Sequence, residues 1–454
     1  MKNLFRLFLV IFSLFAIVSC GGEDTSASDE EQKINVSIRS ISDIAAQIAA
    51  MHFLINDEAG NVLFEDSLGI EKLGNKTVLT GIKNGENATL TIRVFAKNAQ
   101  GDTESTPKWI GKVRGLNFKK GKTTGVDIML YSATVGNTET VMPSPLMIPR
   151  FGHTATVLDD GRVLIAGGFT SCTSNHKCQV TKSVEIIDVE TGHVEHLADM
   201  LEARAMHHAV KMGDGSIVFI GGVSGLNTIA QSEDEAFENY PPLPYSFSAS
   251  SAVTKMERYV LNYLPFNQRK NNSGTVDYDT LPESYSEYIN AEISFKAFQS
   301  IFVEDQATDN KVDVFLVGGL DLEDSENSET PKGKPSNKSY KFSLTLSNGK
   351  VSASEQTELA DASEPMLLPA LAPQKDNYGN IVGVLAVGGR PNNSEYSATF
   401  ISESDAQDRG NDSNLNLFFT NNVALNNNLY TFGGFNNSFN SEENKGEIKN
   451  SNKI

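Results

Sequence analysis

The residues best equipped for chemistry are few. Cys172, His176 and Cys178 fall within one short stretch, CTSNHKC. Two thiols and an imidazole are metal donors, but a zinc site takes four ligands and favours paired C-x-x-C spacing. Only three donors are present here, so no metal is assigned. Oxidation of Cys172 with Cys178 is the stronger expectation for an exported chain. It would close a small loop and stiffen it.

Arg150 and His153 form a second group, which recurs in the same register as Arg204 and His207. Equal spacing marks equivalent points of a repeat, not one shared site. His193 and His196 are three apart on an expected strand and face opposite sides. No G-x-S-x-G, H-E-x-x-H or phosphate-cradling loop occurs. The acidic run from Asp321 to Glu329 lacks calcium-loop spacing and reads as solvated loop. The residues alone therefore point to a non-catalytic protein without a cofactor.

The elements that position these residues are short strands. Each of five glycine pairs ends an apolar strand: Gly167-Gly168, Gly221-Gly222, Gly318-Gly319, Gly388-Gly389 and Gly433-Gly434. Asp160-Gly161 and Asp214-Gly215 suit tight hairpins. A repeat of about 50 residues built from strands indicates a radial β architecture. The Arg and His before a strand, the Asp-Gly turn, the glycine pair and Glu190-Thr191-Gly192 resemble the kelch motif. The likeness is specific for the first two units. Later ones keep the strand and glycines and lose the Arg and His.

The kelch resemblance implies a β-propeller of five to six blades over residues 145–454. A complete blade needs two more strands after Gly434: either Glu447-Ile448-Lys449 supplies one and residues near Thr138 to Val141 close the ring, which is the expectation, or the chain is truncated. Residues 223–250 and 268–290 are expected to be loops. Their aromatic residues, among them Tyr240, Tyr245, Phe247, Tyr278, Tyr285 and Tyr288, could stack on sugars, anchor a partner or pack the insertions. Some kelch-like propellers are enzymes. A copper radical oxidase needs a Tyr-Cys crosslink, and the cysteines here are better used as a pair. A sugar isomerase has no readable motif, so a carbohydrate-active enzyme stays open as the alternative.

Residues 33–131 alternate apolar and polar side chains between turns, as in Met51, Phe53, Ile55 and Leu90, Ile92, Val94. They are expected to form a β-sandwich and resemble immunoglobulin-like or fibronectin-like modules. Ser42 to Met51 could instead hold a short helix. Residues 132–144 read as a linker. The fold class is thus all-β: an N-terminal sandwich, then a propeller.

The N-terminus supplies an address. Lys2 and Arg6 precede an apolar run from Leu7 to Val18, too short to span a bilayer. The run ends Ile17-Val18-Ser19-Cys20, which resembles the lipobox of bacterial lipoproteins. That resemblance implies a signal peptide over 1–19, cleavage before Cys20 and acyl chains on Cys20 that hold the membrane. Residues 20–32 read as a flexible acidic tether. Gly21 favours the outer membrane over the inner, with the protein facing the periplasm or the cell surface. Acidic residues number 57 against 38 basic ones, for a net charge of −19. That balance disfavours nucleic acid and leaves a protein or glycan as the expected partner.

Overall fold

A computed structural model describes residues 32–39, 44–69, 76–119, 123–133, 145–172, 178–225, 252–269, 283–303 except 292, 310–322, 333–390, 396 and 398–410. It also describes the backbone of five strands between 417 and 450. The signal and tether, Cys20, His176, the Gly433-Gly434 pair, the closing segment near 138–141 and the loop aromatics from Tyr240 to Tyr278 lie outside the described residues. Among the described residues no helix is long and apolar enough to cross a membrane.

The N-terminal part has two sheets. Lys33–Arg39 lies between Lys76–Thr80, antiparallel, and Thr123–Met129, parallel. A five-stranded antiparallel sheet runs in the order Val62–Gly69, Ile48–Asn56, Gly85–Ala96, Trp109–Phe118, Tyr131–Ser132. Alternate side chains from both sheets meet in one core, including Val36, Phe53, Ile92 and Ile128, each 0% exposed. Each such side chain contributes roughly 1.5–3 kcal/mol by leaving water. Within the possible helix over 42–51, a 3-10 turn occupies Ala45–Gln47 and the strand begins at Ile48.

Four antiparallel sheets of consecutive strands follow. The first is Thr154–Val157, Val163–Ala166, Val184–Asp188 and His193–Leu197. The second is His208–Lys211, Ile217–Ile220, Met256–Val260 and Tyr285–Ile289. The third is Ser300–Val303, Lys311–Val317, Ser339–Ser347 and Lys350–Ala353, with Thr357–Glu358 added beside Ser339–Ser347. The fourth is Ala370–Lys375, Ile381–Val387, Ala398–Ile401 and Ala406–Arg409. The hairpin of Asn421–Leu425 and Asn428–Phe432 lies beside Ala370–Lys375.

Period-two alternation lets each middle strand serve two neighbours. Ile217 and Phe219 pack towards the first sheet, with Leu164, Ala166 and Ile186. Val218 and Ile220, one step along, pack towards the third, with Val314, Leu316 and Phe342. Phe315 and Val317 of the third sheet meet Val384, Ala386 and Ile401 of the fourth. A one-residue slip would turn each set of side chains towards the wrong neighbour.

One segment expected as loop, Tyr285–Ile289, is a ladder strand of the second sheet, and Met256–Val260 between the two expected loops is another. Met256–Val260 pairs with Ile217–Ile220, and Tyr285–Ile289 pairs with Met256–Val260. The long insertion therefore splits one sheet between its second and third strands. Short hairpins occupy the same place in the first and third sheets: Phe169–Cys172 with Cys178–Val180, and Leu320–Leu322 with Gly333–Pro335.

Candidate functional site: the rim at the glycine pairs

The repeated Arg is the hub of each early sheet. Arg150 donates to the carbonyls of Gly167 at 2.8 Å and Ser183 at 3.0 Å, and pairs with Glu185. Glu185 also accepts the amides of Met147 and Ile148, at 2.6 and 3.2 Å. Arg204 repeats the pattern. It donates to the carbonyls of Gly221 at 3.0 Å and Lys255 at 3.1 Å, and to Glu257 at 2.7 Å. Glu257 accepts the amide of Leu201 at 2.6 Å. Both side chains of each pair are fully buried. A buried pair is tolerated only when its remaining donors and acceptors are satisfied, as they are here. Burial pushes the Arg204 pKa down, against the Glu257 charge.

The later sheets solve the same problem with other residues. Bridges from Phe151 to Phe169, Ala205 to Val223 and Ala297 to Leu320 fix the equivalence, so Lys296 stands where Arg150 and Arg204 do. Tyr340 occupies the ladder place of Glu185 and Glu257. Lys296 sits 5.8 Å from the Tyr340 ring and pairs with Asp321 at 2.7 Å. In the fourth sheet Met366 takes the position. A different arginine, Arg390, lies fully buried against Glu364 at 2.9 Å and Asp408 at 3.2 Å. No sequence motif flagged Lys296, Tyr340 or Arg390; only the ladder register reveals them.

The histidine and the glycine pair are one device. A Cβ on Gly168 would stand 3.0 Å from the His153 Cβ, and one on Gly222 would stand 2.7 Å from the His207 Cβ. The first glycine instead meets the next sheet: a Cβ on Gly167 would lie 2.2 Å from the Arg204 carbonyl. Both Gly167 and Gly168 have positive φ, +63° and +100°. Gln299 takes the histidine position beside Gly319.

His207 is buried, edge-on to Phe219, with its Nε2 3.1 Å from the Thr154 hydroxyl. The Nδ1 atoms of His153 and His207 have no hydrogen-bond partner among the described residues. Burial, with Arg204 close by, holds the His207 pKa well below its ordinary range. Burial and Arg150 hold His153 down. These are neutral packing imidazoles, and His153 and His207 belong to successive sheets.

The residue two after each hub is left-handed: Gly152 at φ 63°, Met206 at 54°, Phe298 at 53° and Leu368 at 47°. Three bulky apolar residues thus hold a conformation that disfavours them. They pack in one cluster with Phe169, Val223, Leu320 and Leu367, drawn from all four sheets. Phe151 lies tilted against Phe169 with centroids 5.0 Å apart and is itself 50% exposed. The rim where the first strands start is therefore apolar. Among the described residues no three His, Cys, Asp or Glu side chains converge as a metal site would need. Cys178 is disulfide-bonded, and Cys172 stands opposite it in the strand ladder.

A second built surface joins the N-terminal sheets to the first four-stranded sheet. Thr123–Met129 is an edge strand, and its free side is covered. The Asn267 amide accepts from the Asp127 N–H and donates to the Asp127 carbonyl, both at 2.9 Å, as a neighbouring strand would. The Met129 N–H donates to the Glu190 carbonyl at 2.7 Å. Arg114 pairs with the Glu190 carboxylate, and the Tyr131 hydroxyl donates to the Val189 carbonyl. Burial, with Asp188 and Glu190 near, pushes the Tyr131 pKa up to about 12. His193 lies between Asp127 at 3.3 Å and Arg39 at 3.2 Å, and stacks on Phe266 at 3.4 Å.

Residues 149–201 match the Kelch motif. No curated protein matches the chain. Among solved structures it is similar to a novel fungal alcohol oxidase of the AA5 family, in complex with copper, at 13% identity and a TM-score of 0.33. That alignment covers 89% of this chain and 72% of the oxidase chain.

Proposed function

We propose that this is a lipid-anchored bacterial envelope protein that binds a protein or glycan without catalysis. Acyl chains on Cys20 hold it to the membrane, the outer one more readily than the inner. An immunoglobulin-like module over 33–131 stands next to the tether. A kelch-type propeller of five to six blades over 145–454 carries the binding loops. The Kelch motif and the successive four-stranded sheets support the propeller reading.

The observation that carries the binding reading is the rim. Where the first strands start, half-exposed Phe151 lies over a cluster of Phe169, Met206, Phe298 and Leu368, and among the described residues the segments after Gly168, Gly222 and Gly319 leave from there. A carbohydrate-active enzyme is the alternative. It requires convergent acids with Arg or Tyr residues at that place.

The test has two parts. Palmitate labelling in bacteria is expected to mark the wild-type chain and not Cys20→Ala. The mature chain is then screened on a glycan array and against envelope fractions, with product analysis of any sugar hit. A partner recovered unchanged supports binding. A chemically altered sugar overturns it.

A further inference from the structure

Strand direction fixes which face of the four-sheet part lies opposite the glycine-pair rim. Val163–Ala166 runs up to Gly167-Gly168, and its antiparallel partner Val184–Asp188 runs back. The turn after Asp188 therefore lies at the far end of the sheet, about 15 Å from the rim. In the second sheet Met256–Val260 likewise starts beside Arg204, and the 3-10 turn Phe266–Arg269 follows its far end. Those far-end segments are the ones the N-terminal module touches. Met129 meets Glu190, Arg39 and Asp127 meet His193, and Asp127 meets Asn267. Arg114 reaches over Gly161, in the turn between the first two strands, and Gly115 leaves no room for a Cβ beside Gln268. Phe266 and Asn267 are buried, so this is a packed joint.

Register also locates where the module's first strand begins. Lys33–Arg39 runs parallel to Thr123–Met129, with Arg39 beside Met129 at the joint. Lys33 stands beside Thr123, about 20 Å along the strand from that contact. The described chain thus enters from the module's side, and the rim lies on the other.

We propose that the N-terminal module is a docked spacer that turns the rim away from the surface holding Cys20. The rim then meets what lies beyond that membrane and not the headgroups of its own bilayer. This rests on the lipid-anchored, rim-binding reading above. Residues 20–32, as the tether of that reading, would span about 20 Å, less than the strands of the module and one sheet laid end to end.

The test couples the full mature chain through the Cys20 thiol to a maleimide lipid, in phosphatidylethanolamine and phosphatidylglycerol vesicles that carry an acceptor dye. Cys178 is already in a disulfide and does not compete. A donor dye is attached to an azido-phenylalanine at position 151, on the rim, or at position 378. Tyr378 is 91% exposed in the turn at the opposite end of the fourth sheet. Energy transfer from 378 is expected to exceed that from 151 about twofold, because strands of that length set the two about 20 Å apart. In Asn267→Ala with Glu190→Ala the joint opens, and the two values are expected to converge while the circular dichroism stays that of the wild type. Equal transfer from both positions in the wild type, or more from 151, overturns the proposal whatever the variant does. So does an unchanged difference in the folded double variant. So does sedimentation of the uncoupled chain with plain vesicles that Phe151→Ser abolishes. The coupling is chemical, so palmitate labelling alone decides the anchor and this result is read apart from it.

Discussion

The amide of Gly168 donates to the carbonyl of Arg204 at 2.9 Å, joining the end of one sheet to the start of the next. Gly319 and Met366 repeat the bond at 2.9 Å between the third and fourth sheets. The glycine pair is therefore an inter-sheet joint, and the Arg behind it serves two sheets: its carbonyl holds the previous one and its guanidinium holds its own.

Alanine at the joint is expected to be worse than alanine at a turn. Gly222 has φ +93°, and a Cβ there would lie 2.7 Å from the Ala205 carbonyl. Gly215 has φ +79° with open space around it. Gly215→Ala should cost about 1–2 kcal/mol from the left-handed backbone alone. Gly222→Ala adds the clash and should lower Tm about 5 °C further. Thermal melts of the two variants check the difference.

Breaking one buried ion pair should be severe. Glu257→Ala leaves Arg204 buried without its carboxylate, and is expected to cost about 3–5 kcal/mol. Arg204→Met with Glu257→Gln should recover most of that. Met366 already fills the equivalent place in the fourth sheet, and Gln keeps an acceptor for the Leu201 amide. Urea unfolding of the single and double variants measures it.

Acid should weaken the fold through His207 and His153. Both are held below the ordinary histidine range, so each binds a proton less readily folded than unfolded. Below about pH 6.5 the unfolded chain takes up protons that the native one refuses. Stability is therefore complete above that pH and falls as pH drops, by about 1.4 kcal/mol per unit per histidine. His207→Gln, copying Gln299, should flatten the slope. Denaturant titrations from pH 8 to pH 5 give the readout.

Reducing agent is expected to lower stability by about 2 kcal/mol, the entropy of one small closed loop. Cys178→Ser should do the same and become insensitive to reductant. Non-reducing peptide mapping is expected to place the crosslink at Cys172 and Cys178.

Asn267→Ala removes both hydrogen bonds to Asp127 and exposes the edge of Thr123–Met129. Cleavage between residues 133 and 145 by limited proteolysis should accelerate several-fold, with little change in overall unfolding.

Much of this fold was legible because period-two alternation is a local signal. Met51, Phe53 and Ile55 announce a half-buried strand without reference to anything distant, and all three are in the core. The first two units were legible for the same reason, since Arg150 and Arg204 keep the residue type as well as the place. In the third the strand and Gly318-Gly319 were legible but the hub was not, because Lys296 with Tyr340 replaces an ion pair by a cation over a ring. Different residues meet one physical demand, and only the ladder shows that they correspond. Met256–Val260 and Tyr285–Ile289 were missed because a long insertion hides their distance from Ile217–Ile220. The left-handed state of Met206, Phe298 and Leu368 leaves no trace in sequence, since glycine marks that place only at Gly152.

Among the described residues, the insertions after Gly168, Gly222 and Gly319 open between the second and third strands of a sheet. Buried Arg204 and Glu257, and the joints at Gly168 and Gly319, lie outside those insertions. The residues that build the frame and those of the insertions are thereby written in separate stretches of the chain. Exchanging 226–251, or the tips of the hairpins at 172–178 and 322–333, would therefore leave the frame intact, so length and composition can vary there without cost to the fold.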